Sequence, residues 1–214
     1  MRLKVSADQR GINRAEILAS YRLLRAATVR VTSAASSACN KADYLRAAEL
    51  LRLTADGGRI VAAKEDIEML ADVALFEPDG DGKRAYDRFL KGRTRKLAPA
   101  DREVALKLAT AFFSFFRVAG RHETAGLWLE DLLADNRPIW IVDEGLEASA
   151  PEGLCLAARL FDAGDYHAGF GIVIPLSDQM VDAYIALSAM PGMAPTAGFL
   201  VPYIYANAIH GAVG

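Results

Sequence analysis

GLCLAARLFDAGDYHAGFGIVIP, residues 153–175, is apolar nearly throughout but interrupted by glycines and a three-residue break. A helix of that length would need one continuous amphipathic face. Two strands need only a turn between them, and Ala163-Gly164-Asp165 supplies small and polar residues for it. Gly153 to Asp162 and Tyr166 to Pro175 therefore read as neighbouring strands. Upstream, Gly126-Leu127-Trp128-Leu129-Glu130 alternates as a half-buried strand does. Asp135-Asn136-Arg137-Pro138 is a turn, and Ile139 to Val142 is a short apolar strand. The helical period is taken to end only after AFFSFFRVAGR, residues 111–121. Four or so short antiparallel strands with tight turns predict a curled sheet or small barrel. A helix from Asp178 to about Ser188 follows.

Within this unit, IWIVDEGLEAS at residues 139–149 runs from four bulky apolar residues into three acids. Ile139 to Val142 fit a strand buried on both faces, with Trp140 as a large packing residue. Asp143-Glu144-Gly145 then turns the chain, leaving Glu147 and Ser149 as solvated or capping groups.

The front half reads as helices. Ile17, Leu18, Tyr21 and Leu24 share one helical face, and Asn40 caps a run bearing Tyr44, Leu45, Ala48 and Leu51. Asp56-Gly57-Gly58 ends that run. Lys64 to Phe76 forms another helix, Pro78-Asp79-Gly80-Asp81-Gly82 breaks it, and Tyr86, Phe89 and Leu90 mark a shorter one. Pro99 suits the first turn of the next, which carries Val104, Leu108, Ala111 and Phe112. Past Asp182 there is no Asp, Glu, Lys or Arg, while Pro191, Pro195 and Pro202 argue against a long helix there. Such a tail must be covered, by the chain's own body or by a second subunit. The expected class is α+β: a helical region at 1–112, an antiparallel β-unit with its terminal helix at 113–189, and an apolar tail at 190–214.

Composition bounds the partners. Over the 214 residues, 52% are hydrophobic and 24% charged, and no apolar run reaches the roughly 18 residues of a membrane-spanning helix. Cys39 and Cys155 lie far apart in Ala/Leu/Ser settings, which predicts free thiols in a reducing compartment, the cytoplasm. The first forty residues hold seven arginines and lysines against Asp8 and Glu16, a composition shared by transit peptides and ordinary first helices. The net charge of −2 conceals a split: 21 Lys+Arg against 15 Asp+Glu up to Lys107, then 4 against 12. The two halves should attract each other.

Familiar chemistry is absent from the local motifs. In EPDGDGKRAYDR, residues 77–88, Glu77, Asp79, Asp81 and Gly82 imitate a calcium loop, but Arg88 stands where its bidentate glutamate belongs. His122, His167 and His210 are isolated and no cysteine pair exists, so neither a metal nor another cofactor is expected. Ser149 is in no nucleophile elbow, Cys155 belongs to an apolar strand, and Gly169-Phe170-Gly171 lacks the rest of a dinucleotide fingerprint. The best anion-binding patch is Arg88, Lys91, Arg93, Arg95 and Lys96. With a pI near 6.0 and no interleaved aromatics, docking on the acidic half explains it better than nucleic acid does.

The pieces SFFRV, GLWLEDLLADN, DEGLEAS, the turn with Gly153 and LAARLF resemble a β-rich module of uncharacterised bacterial proteins. Some of those also carry a zinc-binding SEC-C tail, which this chain lacks, so that metal role does not transfer. Over its full length, with the VDEGLEASAPEG block, the chain resembles a family of hypothetical alphaproteobacterial proteins to which no activity is attached. The functional expectation is a non-enzymatic binding or assembly module that is homo-oligomeric, with a protein partner as the other option and no membrane. The alternative is a small-molecule site or enzyme using His122, Trp140, Asp143, Glu144, Arg159 and His167. There a carboxylate beside Trp140 would have its pKa raised enough to act as a base. That alternative requires those side chains to meet in one pocket. A third reading has the basic half bind nucleic acid.

Overall fold

The computed structural model describes residues 13–55, 58–191, 193 and 198–211. Residues 2–10 of the basic opening, the Asp56-Gly57 turn and Pro195 lie outside them. Helices α1 (Arg14–Ser36), α2 (Lys41–Leu50), α3 (Ile67–Phe76), α4 (Ala85–Arg93) and α5 (Pro99–Leu108) fill the front of the chain. A small hairpin, β1 (Thr54–Ala55) and β2 (Arg59–Ile60), follows α2.

Local chemistry sets the helix ends. Asn13 and Asn40 close capping boxes with Glu16 and Asp43, so backbone N–H groups that lack helical partners are satisfied. Pro99 occupies the first turn of α5, where its missing N–H costs nothing. Lys64–Asp66 is a single 3-10 turn leading into α3. The Gly/Asp stretch after α3 is a turn, because Asp79 Oδ1 accepts the N–H groups of Asp81 and Lys83.

Five strands then close a barrel: β3 (Phe112–Arg121), β4 (Leu127–Asp131), β5 (Arg137–Ile141), β6 (Cys155–Asp162) and β7 (His167–Leu176). The order around it is β3-β4-β5-β7-β6. Helix α6 (Glu144–Ser149) joins β5 to β6, and α7 (Asp178–Ser188) and α8 (Leu200–His210) follow. This order, with a parallel pairing of the third and fifth strands, is the connectivity of a five-stranded Greek-key barrel.

The α+β class holds, with four differences in detail. FFSFFRVAGR is strand β3 rather than the end of the helical half, so the barrel begins at Phe112. Phe113 and Phe115 face the helices while Phe116 and Val118 face the barrel interior, and burial on both sides erases the alternation. The sheet is not wholly antiparallel, since β5 and β7 pair in parallel through Ile141 and His167. Asp143-Glu144-Gly145 starts the short helix α6 instead of a plain turn, and Glu147 is buried rather than solvated. The tail does form an 11-residue helix, because Pro202 falls in the first turn of α8.

Two cores flank the barrel's outer face. One joins Ala47, Leu51 and Val73 to Phe115, Ile174 and Tyr205; the other joins Ile17, Val31 and Leu108 to Trp140 and Phe161. Leu200, Val201, Ile204 and Tyr205 of α8 are buried in the first. Each such side chain contributes about 1.5–3 kcal/mol of burial free energy. The apolar tail is thus covered by the chain's own body on that side. The interior holds Phe116, Leu127, Leu129, Ile139, Ile141, Leu156 and Leu160. Gly126 lets β4 start against β5: it has φ +79°, and a Cβ there would lie 2.0 Å from the Ile141 carbonyl oxygen.

Candidate functional site

The six residues singled out from the sequence fall in three places. His122, Trp140, Asp143 and Glu144 lie on the β4–β5 side, where α1 packs. The His122 ring stacks on Trp140 at 3.9 Å and 6° and also meets Trp128 at 4.8 Å. Its Nδ1 accepts the Thr124 N–H at 3.0 Å, and burial lowers its pKa, so the ring is neutral with its proton on Nε2. Trp140 Nε1 donates to the Ala125 carbonyl at 2.7 Å. These are the contacts of packed, satisfied groups.

The acids beside them are engaged as well. Asp143 caps α6, its Oδ1 accepting from Gly145 N and Leu146 N, while Oδ2 accepts the Tyr21 hydroxyl at 3.2 Å. Burial, then the Asp143 charge, push the Tyr21 pKa up to about 12, so that hydroxyl is a donor at physiological pH. Glu144 accepts two hydrogen bonds from Arg22, which hold its carboxyl below the usual range. Glu147 pairs with Arg14 at 2.8 Å. Three acids, two arginines and Tyr21 thus seat α1 on α6, the attraction between halves that the charge split implies.

Arg159 is elsewhere, on the helix-facing side of β6. Its guanidinium binds both oxygens of Asp72 and Glu77 Oε1 at 2.6 Å, and Tyr205 donates to Asp72 Oδ2 at 3.1 Å. Phe76 and Phe113 lie against its charge at 5.1 and 5.8 Å. Two carboxylates share one guanidinium here, Glu77 Oε2 has no partner, and burial raises the Glu77 pKa. His167 sits at a third place, the barrel end where β7 starts, edge-on to Phe112 at 6.1 Å; burial lowers its pKa. The six therefore do not share a pocket.

The basic patch is split too. Arg88 is tied to buried Asp43 at 2.6 Å, whereas Lys91, Arg93, Arg95 and Lys96 are exposed around the end of α4. Among the described residues no cluster of three His, Cys, Asp or Glu side chains is suited to a metal ion. No described helix is long and apolar enough to cross a membrane.

Sequence reasoning missed Tyr21, Asp72 and Asp131. Asp72 shows no local signal, because its partners are 87 and 133 residues away. Asp131 is buried at the barrel end, bound by Ser114 Oγ, Leu133 N and Arg137 Nη2. A polar residue inside the apolar run FFSFF was the one available hint.

No curated protein and no solved structure matches the chain. A family model does match, over residues 15–188, from α1 to the end of α7; the chain belongs to the family of unknown function DUF7986.

Proposed function

We propose that the chain is a non-enzymatic, cytoplasmic binding module that assembles with a second copy of itself through the outward side of α8. The observation that carries this is a pair of exposed aromatic side chains on a segment without charged residues. Phe199 is 56% exposed and Tyr203, one helical turn on, 40% exposed, within a segment holding no Asp, Glu, Lys or Arg after Asp182. A two-fold interface sets a patch against itself, so a charged patch repels its copy and an uncharged apolar one does not. The non-enzymatic part is supported by the fate of the candidate acids, which are engaged by Tyr21, Arg22, Arg14 and backbone N–H groups. Nucleic acid is disfavoured because α1 packs over Trp140 on the barrel face that such barrels otherwise offer.

Light scattering of the intact chain at micromolar concentration is expected to give a dimer. Phe199→Asp should yield a monomer with unchanged circular dichroism, since Phe199 is the N-cap of α8 and aspartate is favoured there. A monomeric wild-type chain would overturn the assembly reading.

A further inference from the structure

We propose that the open mouth of the barrel binds a small carboxylate carried on a flat apolar body. The site is independent of association through α8, and either can fail alone. The two ends of the barrel differ. Where β5 passes to β6, Leu146, Ala150 and Leu154 pack against the interior and plug it. At the opposite end, where β3, β5 and β7 begin, Phe112 is only partly buried and a cleft of about 430 Å³ opens. That volume is within the usual range for small-ligand sites, roughly 300–1,000 Å³.

The lining combines an apolar wall with one oriented donor fork. The cleft lies at the rim: Phe112 on the interior side and Phe113 and Leu133 on the helix-facing side form the wall, and Ser114, Asp131, Arg137 and Ser188 at the end of α7 supply the polar atoms. Ser114 and Asp131 are both buried. The carboxylate of Asp131 is fully used: Oδ1 accepts from the Ser114 hydroxyl and, at 3.2 Å, from Leu133 N, while Oδ2 accepts from Arg137 Nη2 at 3.2 Å. Asp131 therefore serves to hold the guanidinium from behind. Phe112 supports it from one side, 5.7 Å from ring centre to Cζ.

Arg137 stays 56% exposed, and among the described residues its Nε and Nη1 donate to no protein acceptor. Nη2 spends one of its two hydrogens on Asp131, so its second hydrogen and the donor on the same edge, Nη1 or Nε, form a planar fork that matches a carboxylate's two oxygens, and the held guanidinium loses little freedom on binding. The adjoining phenyl wall would take the ligand's apolar face. His167, whose pKa burial lowers, adds no second positive charge near neutrality, which favours a monoanion over a phosphate. Asp162 and Asp131, the acids facing this end from β6 and β4, disfavour higher negative charge in the same way.

The test titrates benzoate, and separately its neutral analogue benzyl alcohol, into the intact chain while amide resonances of Ser114, Asp131 and Arg137 are followed. Benzoate should give saturable shifts at those amides, and benzyl alcohol should bind at least about tenfold more weakly, the worth of a charge-assisted hydrogen bond. Arg137→Gln should lose benzoate binding by a similar factor. Arg137→Lys keeps a positive partner for Asp131 but not the fork, and should bind with intermediate strength. Thermal melts of both unliganded variants establish that the barrel is intact. Absence of saturable shifts with benzoate, equal binding of benzyl alcohol, or undiminished binding by a folded Arg137→Gln would each overturn the proposal.

Discussion

The helical half grips the barrel twice with the same residue types, once in the core and once at the surface. In the core, Asp72 and Glu77 close on Arg159, Tyr205 donates to Asp72, and all four are buried. At the surface, Arg22 meets Glu144 with 65% and 39% of their side chains exposed, while Arg14 meets buried Glu147 one turn further along α6 and stands between the two cases. Geometry is good in both places, so distance does not separate them. Solvent does. Water screens the Arg22–Glu144 pair and solvates each partner when they part, whereas a buried charge left alone has nowhere to go. The first grip specifies how α3 and α8 sit on β6; the second mainly orients α1 over α6.

Breaking the buried grip should have the largest effect. Arg159→Met leaves Asp72 and Glu77 facing each other without a counter-charge, and should cost about 3–5 kcal/mol in urea unfolding. A loss below about 1 kcal/mol would mean that the network relaxes freely, contrary to its burial.

A gentler change sharpens the same point. The Glu77 carboxyl has a raised pKa in the fold because burial outweighs the pull of Arg159. The folded state then binds a proton that the unfolded state has released, so this group's contribution is present at low pH and is lost as pH rises through the folded pKa. Glu77→Gln removes that titration and keeps an oxygen for Arg159. The urea midpoint of the variant should therefore gain on wild type as pH rises from the ordinary carboxylate range upward. A gap that is flat with pH would show Glu77 to be ionised in both states.

The surface grip should respond least. A double-mutant cycle on Arg22→Ala and Glu144→Ala is expected to give a coupling near the detection limit at physiological salt, growing only as salt is removed. A large, salt-insensitive coupling would erase the distinction between the two grips.

Much of this was legible in the sequence because it rests on local chemistry. Caps at Asn40 and Pro99, the strand alternation around Trp128, and the α7 bounds follow from residues within a few positions of one another. Strand β3 was not legible, since FFSFF packs both faces and shows no period of two. The parallel β5–β7 closure depends on a pairing 26 residues apart in sequence, between Ile141 and His167. Glu77 was grouped with Asp79 and Asp81 by spacing, yet its side chain turns inward to Arg159, 82 residues on. Arg159 was singled out correctly as unusual, but nothing near it in sequence names its partners. Of the candidate cluster, only the members close to α6 are neighbours in space, and their acids serve caps and ion pairs.

If the buried grip makes one folding unit of helices and barrel, the intact chain should unfold as one. Differential scanning calorimetry is the most direct measurement. A single transition whose calorimetric and van't Hoff enthalpies agree is the expected result. Two resolved transitions, one for the helical half and one for the barrel, would contradict it.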